Sequence, residues 1–323
     1  MTTVLLSAPY MLPYSERFRP VFDHYGITLV VADVNERLSE EEILRYAGTF
    51  DATICGDDRY TEAVIKQCLP RLKVISKWGT GIDSIDKAAA NRLGVSVWNT
   101  PNAFTLPVSD TVLGYMLAFA RQLPWLDQEV KQGGWGKFAS RSLSECTLGV
   151  IGVGNVGKAV IRPARAFGMR LLGNDIVPVA PDFIVEMGLH MTSLETLLQE
   201  ADFISVNCDL NPTSYHLINE KSLSLVKPSA VLINTARGPI VDEQALITAL
   251  QEKRLGGAAL DVYEVEPLPA HSPLRGFNNV MLASHNSNSS KAAWERVHWN
   301  TLRNLVLGLG LDASGLDAFI GKI

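Results

Sequence analysis

Leu148 to Val160 reads LGVIGVGNVGKAV, an apolar strand-like run that breaks into Gly152, Gly154 and Gly157 and resumes as a helix-like pattern. A strand that turns through G-x-G-x-x-G into a helix is the setting of a dinucleotide-binding unit. Gly152 permits the tight turn, Gly154 lets the backbone approach a pyrophosphate, and Gly157 lets the helix pack closely on the strand. The helix N-terminus, at Asn155 and Val156, offers its first N–H groups to the phosphates. Beyond the helix a second short run, Met169 to Leu172, leads to Gly173-Asn174-Asp175. Asp175 therefore stands about 20 residues past the glycines, where a carboxylate accepts ribose hydroxyls, and the combination reads as NAD rather than NADP. An ordinary βα turn at the glycines and a turn cap at Asp175 are the structural alternatives.

On either side of this unit, short β-branched or apolar runs alternate with helix-like segments. The strand candidates before it are Val4 to Leu6, Ile27 to Val31, Ala52 to Cys55, Lys73 to Ser76 and Val95 to Trp98. After it come Phe203 to Asn207, Ala230 to Asn234, Gly257 to Leu260 and Val280 to Ala283. Ser39 and Glu42 have capping-box spacing, and a helical pattern runs from Thr61 towards Gln67. A longer one follows Pro107, and Pro124 starts another that ends at Gly133-Gly134. Such alternation predicts an α/β protein of two doubly wound, parallel-sheet, Rossmann-like domains, of which only the second carries the dinucleotide turn. The amphipathic segment from Lys291 to Leu307 follows the last strand and is expected to return to the first domain. That makes the substrate domain discontinuous, 1–99 and 286–323, around an NAD-binding domain of 100–285, with hinges near Asn99 to Pro101 and Asn286 to Ser290. The alternative keeps this C-terminal helix on the second domain.

Composition narrows the partners. A net charge of -5 and the lack of any dense Lys/Arg cluster argue against nucleic acid and anionic membrane. Cys55, Cys68, Cys146 and Cys208 are scattered, with no C-x-x-C pair and no His at ligand spacing. They read as buried thiols in a reducing compartment, with no metal site. The N-terminal apolar run is too short for a signal segment and no stretch reaches membrane-spanning length, so a cytoplasmic protein is expected.

Three polar residues lie at or just past the ends of strand candidates in the second block, where ligands bind in open α/β sheets. Arg237 follows the apolar run ending at Asn234-Thr235-Ala236, and a guanidinium fork suits clamping a carboxylate. Glu266 follows Asp261-Val262-Tyr263, and His285 follows Met281-Leu282-Ala283-Ser284. A carboxylate beside a histidine favours its protonated form, which suits a proton donor in hydride transfer. Singly, each has a bland explanation: a core histidine, a surface glutamate beside proline, a structural ion pair. On successive strand ends of one dinucleotide-binding sheet they point to chemistry.

The whole chain resembles the D-isomer-specific 2-hydroxyacid dehydrogenases, in particular the phosphoglycerate-dehydrogenase-like branch. The resemblance is carried by Gly79-Thr80-Gly81-Ile82-Asp83-Ser84-Ile85-Asp86, the turn at Gly152 to Gly157, Asn234 to Glu243, Gly257 to Tyr263 leading to Glu266-Pro267, and His285. It implies that Arg237 binds and orients the substrate, that His285 is the acid/base and that Glu266 is its partner. Asp261 would lie by the nicotinamide carboxamide, Thr235 and Ala236 would line the cofactor, Cys208 would stand in the cofactor-facing loop, and Asp175 would hold the ribose of NAD. The Gly79-Thr80-Gly81 loop would hold the substrate carboxylate. Successive N–H groups in a glycine turn do form an anion-binding concavity, with a simple strand-to-helix turn as the alternative. Lys77 either adds a charge contact to the substrate or is a solvated lysine. The family's reaction places a 2-keto acid on that loop and Arg237, with domain closure excluding water while His285 supplies the proton. A homodimer through Pro107 to Gln132 is implied too, with Trp125 and Trp135 in the interface or else in the domain core.

Some positions depart from the family pattern. Asn286-Ser287-Asn288-Ser289-Ser290 replaces a glycine-containing turn after His285, and Cys208-Asp209 brings an acid where a proline is usual. Cys55-Gly56-Asp57-Asp58 falls where phosphoglycerate dehydrogenases place a phosphate-binding arginine, and two carboxylates there would repel a phosphate. The chain ends at Ile323, which is expected to leave no regulatory domain. A second function class is an NAD(H)-sensing regulatory protein, like the transcriptional corepressors related to this family. A third, a Rossmann-like methyltransferase, leaves the triad and Asp175 without a purpose. The intact Arg237, Glu266 and His285 favour an NAD-dependent enzyme acting on a small 2-hydroxy or 2-keto acid.

Overall fold

A computed structural model of the chain describes residues 2–321. The chain divides into two compact units, one running through Phe104 and resuming at Ser290, the other Thr105–Ser289.

The first unit is built on five strands: β1 Thr2–Leu6, β2 Ile27–Val31, β3 Ala52–Cys55, β4 Val74–Lys77 and β5 Ser96–Trp98. They pair in the order β2-β1-β3-β4-β5, every neighbour parallel. All four residues of β3 and of β4 are buried, as expected of central strands covered on both faces. Ser39 and Glu42 form the reciprocal capping box that their spacing predicts, and the Thr61 hydroxyl caps the Glu62–Cys68 helix. The Lys291–Gly308 helix packs on β3, β4 and β5, burying Val297, Leu302 and Leu305, with Ser76 Oγ donating to Thr301 O at 2.8 Å. That helix is therefore part of the first unit's core.

The second unit has seven strands: β6 Thr147–Ile151, β7 Arg170–Asn174, β8 His190–Met191, β9 Phe203–Val206, β10 Val231–Asn234, β11 Gly257–Leu260 and β12 Val280–Leu282. Their order is β12-β11-β10-β9-β6-β7-β8, again all parallel. This is the doubly wound arrangement in which strand order reverses between β6 and β9. One core face gathers Leu197, Ile204, Leu232 and Leu246, the other Val112, Met116, Val160 and Ile233. Two-residue β8 is the strand the sequence pattern did not announce. Thr105–Arg121 and Leu123–Lys131 are separate helices, broken at Gln122 by a left-handed backbone with φ of 54°. Among the described residues no helix is long and apolar enough to cross a membrane. The four cysteines are free thiols, Cys55, Cys68 and Cys146 buried and Cys208 partly so.

Candidate active site

The glycine turn of the second unit is made by its own close contacts. Gly152 leaves β6 with φ of 88°, and a Cβ there would stand 2.5 Å from Cys208 N on the loop after β9. A Cβ on Gly157 would fall 2.1 Å from Gly152 O, so helix and turn meet backbone to backbone. Gly154 is different: it is exposed and nothing lies within 4 Å of its Cβ position. It begins the Asn155–Ala166 helix without a side-chain cap, and Asn155 is also exposed. A 12-residue helix thus starts at an exposed glycine with open space at its Cβ position and no side-chain cap, a helix start suited to an anion.

Asp175, half-buried at the end of β7, accepts from Val153 N at 2.7 Å and from Val177 N at 2.8 Å. It is therefore a turn cap that shapes the glycine loop. A carboxylate has about four lone-pair sites, so two remain for ribose hydroxyls and both sequence readings fit one residue. Close by in the chain's order of strand ends, Asn207 Oδ1 and Thr235 Oγ1 are buried with no hydrogen-bond partner. Buried polar atoms are rarely left so. An open glycine, an uncapped helix start, a half-exposed carboxylate and two orphaned polar atoms together fit NAD, with Ala236 and Cys208 beside them in sequence. Burial pushes the Cys208 thiol up to about 11, so it is a neutral group at neutral pH. Asp209 is exposed.

The two residues expected as an acid/base pair meet in the loops after β11 and β12. His285 Nδ1 lies 2.9 Å from Glu266 Oε2, and the other glutamate oxygen accepts from Tyr263 N at 3.0 Å. The contact to the carboxylate is made through Nδ1, so Nε2 is the ring nitrogen that does not face Glu266. The histidine sits at φ of 53°, a costly backbone for a residue with a Cβ. It is held there by its N–H donating to Asp261 O at 2.8 Å, and by Asp261 accepting from Asn286 N at 2.7 Å and Ser287 N at 2.9 Å. Asp261, expected beside the carboxamide, has no exposed surface, and both its oxygens hold the histidine loop. Tyr263 adds a second brace, its hydroxyl donating to Leu260 O at 3.1 Å and Ala283 O at 2.7 Å. The Asn286–Ser290 segment that departs from the family thus supplies the very N–H groups that Asp261 grips.

Arg237 is half-buried after β10, its Nη1 donating to Ala236 O at 2.8 Å. Asn234 holds this loop from beneath, with Nδ2 donating to Arg237 O and Oδ1 accepting from Ala236 N. A Cβ on Gly238 would fall 1.9 Å from Tyr263 C and O, so the Arg237 loop lies directly on the segment that carries Glu266. Asn234 and Tyr263, letters of the sequence motifs, work through these contacts.

In the first unit, the Gly79-Thr80-Gly81 loop leaves β4 with Gly79 at φ of 114°. Thr80 Oγ1 donates to Thr100 O at 2.9 Å and Asn99 Nδ2 to Thr80 O at 2.6 Å, so the loop is braced from one side and Thr80 stays exposed. Lys77 is 4% exposed, its Nζ 2.8 Å from Asp57 Oδ1 and 3.2 Å from Trp78 O, and 4.0 Å from the Cβ position of Gly79. It is neither a solvated lysine nor an uncommitted charge. The expected pair of phosphate-repelling carboxylates is also corrected. Asp58 is fully buried, accepting from Ser7 Oγ and Leu38 N, and burial raises its pKa. Asp57 shares its charge with Lys77. Among the described residues no cluster of three His, Cys, Asp or Glu side chains forms a metal site.

Comparison with known proteins adds the following. A family model described as "D-isomer specific 2-hydroxyacid dehydrogenase, NAD binding domain" matches residues 113–287. A glyoxylate reductase of Thermofilum pendens is 37% identical over 274 residues, covering 83% of this chain and 81% of that protein. A D-3-phosphoglycerate dehydrogenase of Synechocystis sp. is 38% identical over 297 residues, 89% of this chain but 53% of that protein, so the chain spans about half of that relative. Among solved structures, D-lactate dehydrogenase from Aquifex aeolicus, complexed with NAD and lactic acid, aligns with a TM-score of 0.82 at 28% identity, covering 96% of each chain.

Proposed function

The chain belongs to the D-isomer-specific 2-hydroxyacid dehydrogenase family, and on that premise we propose that it interconverts a small D-2-hydroxy acid and its 2-keto acid, with His285 as acid/base, Glu266 as its partner and Arg237 as the substrate clamp. It is an NAD-dependent oxidoreductase of 2-hydroxy and 2-keto acids. The observation that carries the residue assignment is the His285–Glu266 pair at 2.9 Å, set on strand ends of the same sheet that carries the glycine turn.

Gly152, Gly154, Asn155, Val156, Gly157, Asp175 and Thr235 would hold NAD, which would supply or accept the hydride. The protein does the rest. Arg237 binds the acid's carboxylate and lies near the developing charge, a task for which its planar fork is suited. In the first unit, the N–H groups of the Gly79-Thr80-Gly81 turn offer an anion-binding concavity suited to a carboxylate, with the Lys77–Asp57 ion pair beside it. His285 Nε2 gives its proton to the forming alkoxide in the reductive direction and removes it in the oxidative one. Glu266 holds the ring and stabilises the imidazolium between turnovers. Asp261 acts on the reaction through the loop, fixing where the ring stands.

We also place the protein in the cytoplasm, for which the buried free thiols speak, and as a homodimer through the helices before Gln132. Leu123 and Val130 are exposed there and Trp135 beyond them is 85% exposed, so Trp135 lies outside any core. Oxidation of NADH with a panel of 2-keto acids tests the reading, with His285→Ala expected to lower kcat by about 1,000-fold. NADH binding without turnover of any acid would move the assignment to a regulatory protein of the same fold.

A further inference from the structure

We propose that the substrate carries an aryl or similarly flat apolar group beyond its keto carbon, and that Tyr10, Trp78 and Trp294 select it. The inference rests on the dehydrogenase reading above and names its substrate class.

Ligands of open parallel sheets lie beyond the carboxyl ends of the strands, at the point where strand order reverses. In the first unit that point is between β1 and β3. The loop after β1 carries Tyr10, and β4, the neighbour of β3, runs out into Lys77-Trp78-Gly79. The Tyr10 ring lies on Trp78 with centroids 4.8 Å apart and on Trp294, in the first turn of the C-terminal helix, at 5.0 Å. Trp78 and Trp294 close the triangle at 6.0 Å with planes 80° apart. Trp78 is fixed from behind, where its Nε1 donates to His298 Nδ1 at 2.9 Å. Phe104 continues the apolar surface, its Cε2 3.7 Å from the Cβ position of Gly79. Buried aromatic rings, Trp78 and Phe104, therefore stand directly against the loop assigned to the substrate carboxylate, and Trp78 links them to Tyr10 and Trp294.

Exposure separates this wall from ordinary core. Trp78 is 3% exposed, whereas Tyr10 and Trp294 keep part of their rings at the surface, at the end of the sheet where a ligand arrives. Rings offered there stack with a flat apolar group far better than with the bare hydrogen of glyoxylate. A phosphate would call for cations, and the Lys77 ammonium beside the loop is held by Asp57 and Trp78 O.

The test compares kcat/KM for phenylpyruvate and glyoxylate in NADH oxidation by the wild-type protein, Trp294→Leu and Tyr10→Leu. Wild type is expected to prefer phenylpyruvate by about 100-fold, and each variant to cut that ratio by about tenfold, mainly through KM for phenylpyruvate. A purely structural role would lower both substrates together and leave the ratio in place, which overturns the proposal. Should Trp294→Leu fail to fold, Tyr10→Leu, at a half-buried position in the loop after β1, carries the same comparison. Turnover of glyoxylate at or above phenylpyruvate overturns the aryl assignment while leaving the dehydrogenase intact. No turnover of any 2-keto acid overturns both.

Discussion

Where strand order reverses in the β6–β12 sheet, the gap is lined by main chain. Gly152 presses on Cys208 N, Gly157 on Gly152 O, and Gly154 faces open space. Where it reverses in the β1–β5 sheet, the gap is filled by side chains: the Ser7 hydroxyl on Asp58, the Pro9 ring against Gly56, and Tyr10 on Trp78. On the proposed function, the difference follows from what each place would have to recognise. A pyrophosphate is the same in every dinucleotide, and main-chain N–H groups read it without help from side chains. Acids differ in what they carry beyond the carboxylate, and only side chains can sort them.

The comparison breaks most sharply at Gly157. Alanine there puts a Cβ 2.1 Å from main-chain oxygen that has nowhere to go, so the turn must open. Gly157→Ala is expected to weaken NADH binding by about three orders of magnitude, roughly 4 kcal/mol, read by fluorescence titration. Wild-type affinity in that variant would mean the turn is not the cofactor cradle.

The side-chain-built unit should instead be sensitive to pH, through His298. This residue is 2% exposed, faced by the Tyr14, Phe18 and Trp78 rings with Glu295 and Arg17 nearby, and burial lowers its pKa to about 4 from the ordinary 6.5. The unfolded chain takes up a proton near 6.5 and the folded one only near 4, so falling pH across that window favours unfolding. The contribution is whole above about pH 6.5 and shrinks by roughly 3 kcal/mol by about pH 4. Thermal melts across this range should slope less for His298→Gln than for wild type, and identical slopes would remove His298 as the cause. The smallest effect belongs to Gly56→Ala, where the obstacle is the Pro9 ring, 2.8 Å from the new Cβ, which can shift. A stability loss of about 1 kcal/mol with unchanged NADH affinity is expected. A weaker NADH Kd in that variant would show the two gaps to be less separate in task than their chemistry suggests.

The same contrast explains what could be read from the residues alone. The strands of both sheets stood out as short apolar runs, save β8, where two residues give no pattern to detect. The glycine turn and the His285–Glu266 pair were legible because backbone needs and strand-end positions leave fixed letters at fixed spacing. Roles set by side-chain partners were not. Asp58 reads as a charge beside Asp57 until Ser7 and Leu38 N are found on it, and Lys77 reads as solvated until Asp57 is. His298 gave no signal at all, since its partner Trp78 is 220 residues away.

That separation has a consequence for how the chain is made. The helix that covers β3, β4 and β5 begins at Lys291, and the carbonyl that receives the Ser76 hydroxyl comes 225 residues after it. During synthesis, at about 5–20 residues per second, β3, β4 and β5 wait on the order of ten seconds or more for the helix that covers them. The glycine-turn unit, continuous from Thr105 to Ser289, has all its parts before then. The half of the protein translated first is the half that finishes last, and it is the half a chaperone would find.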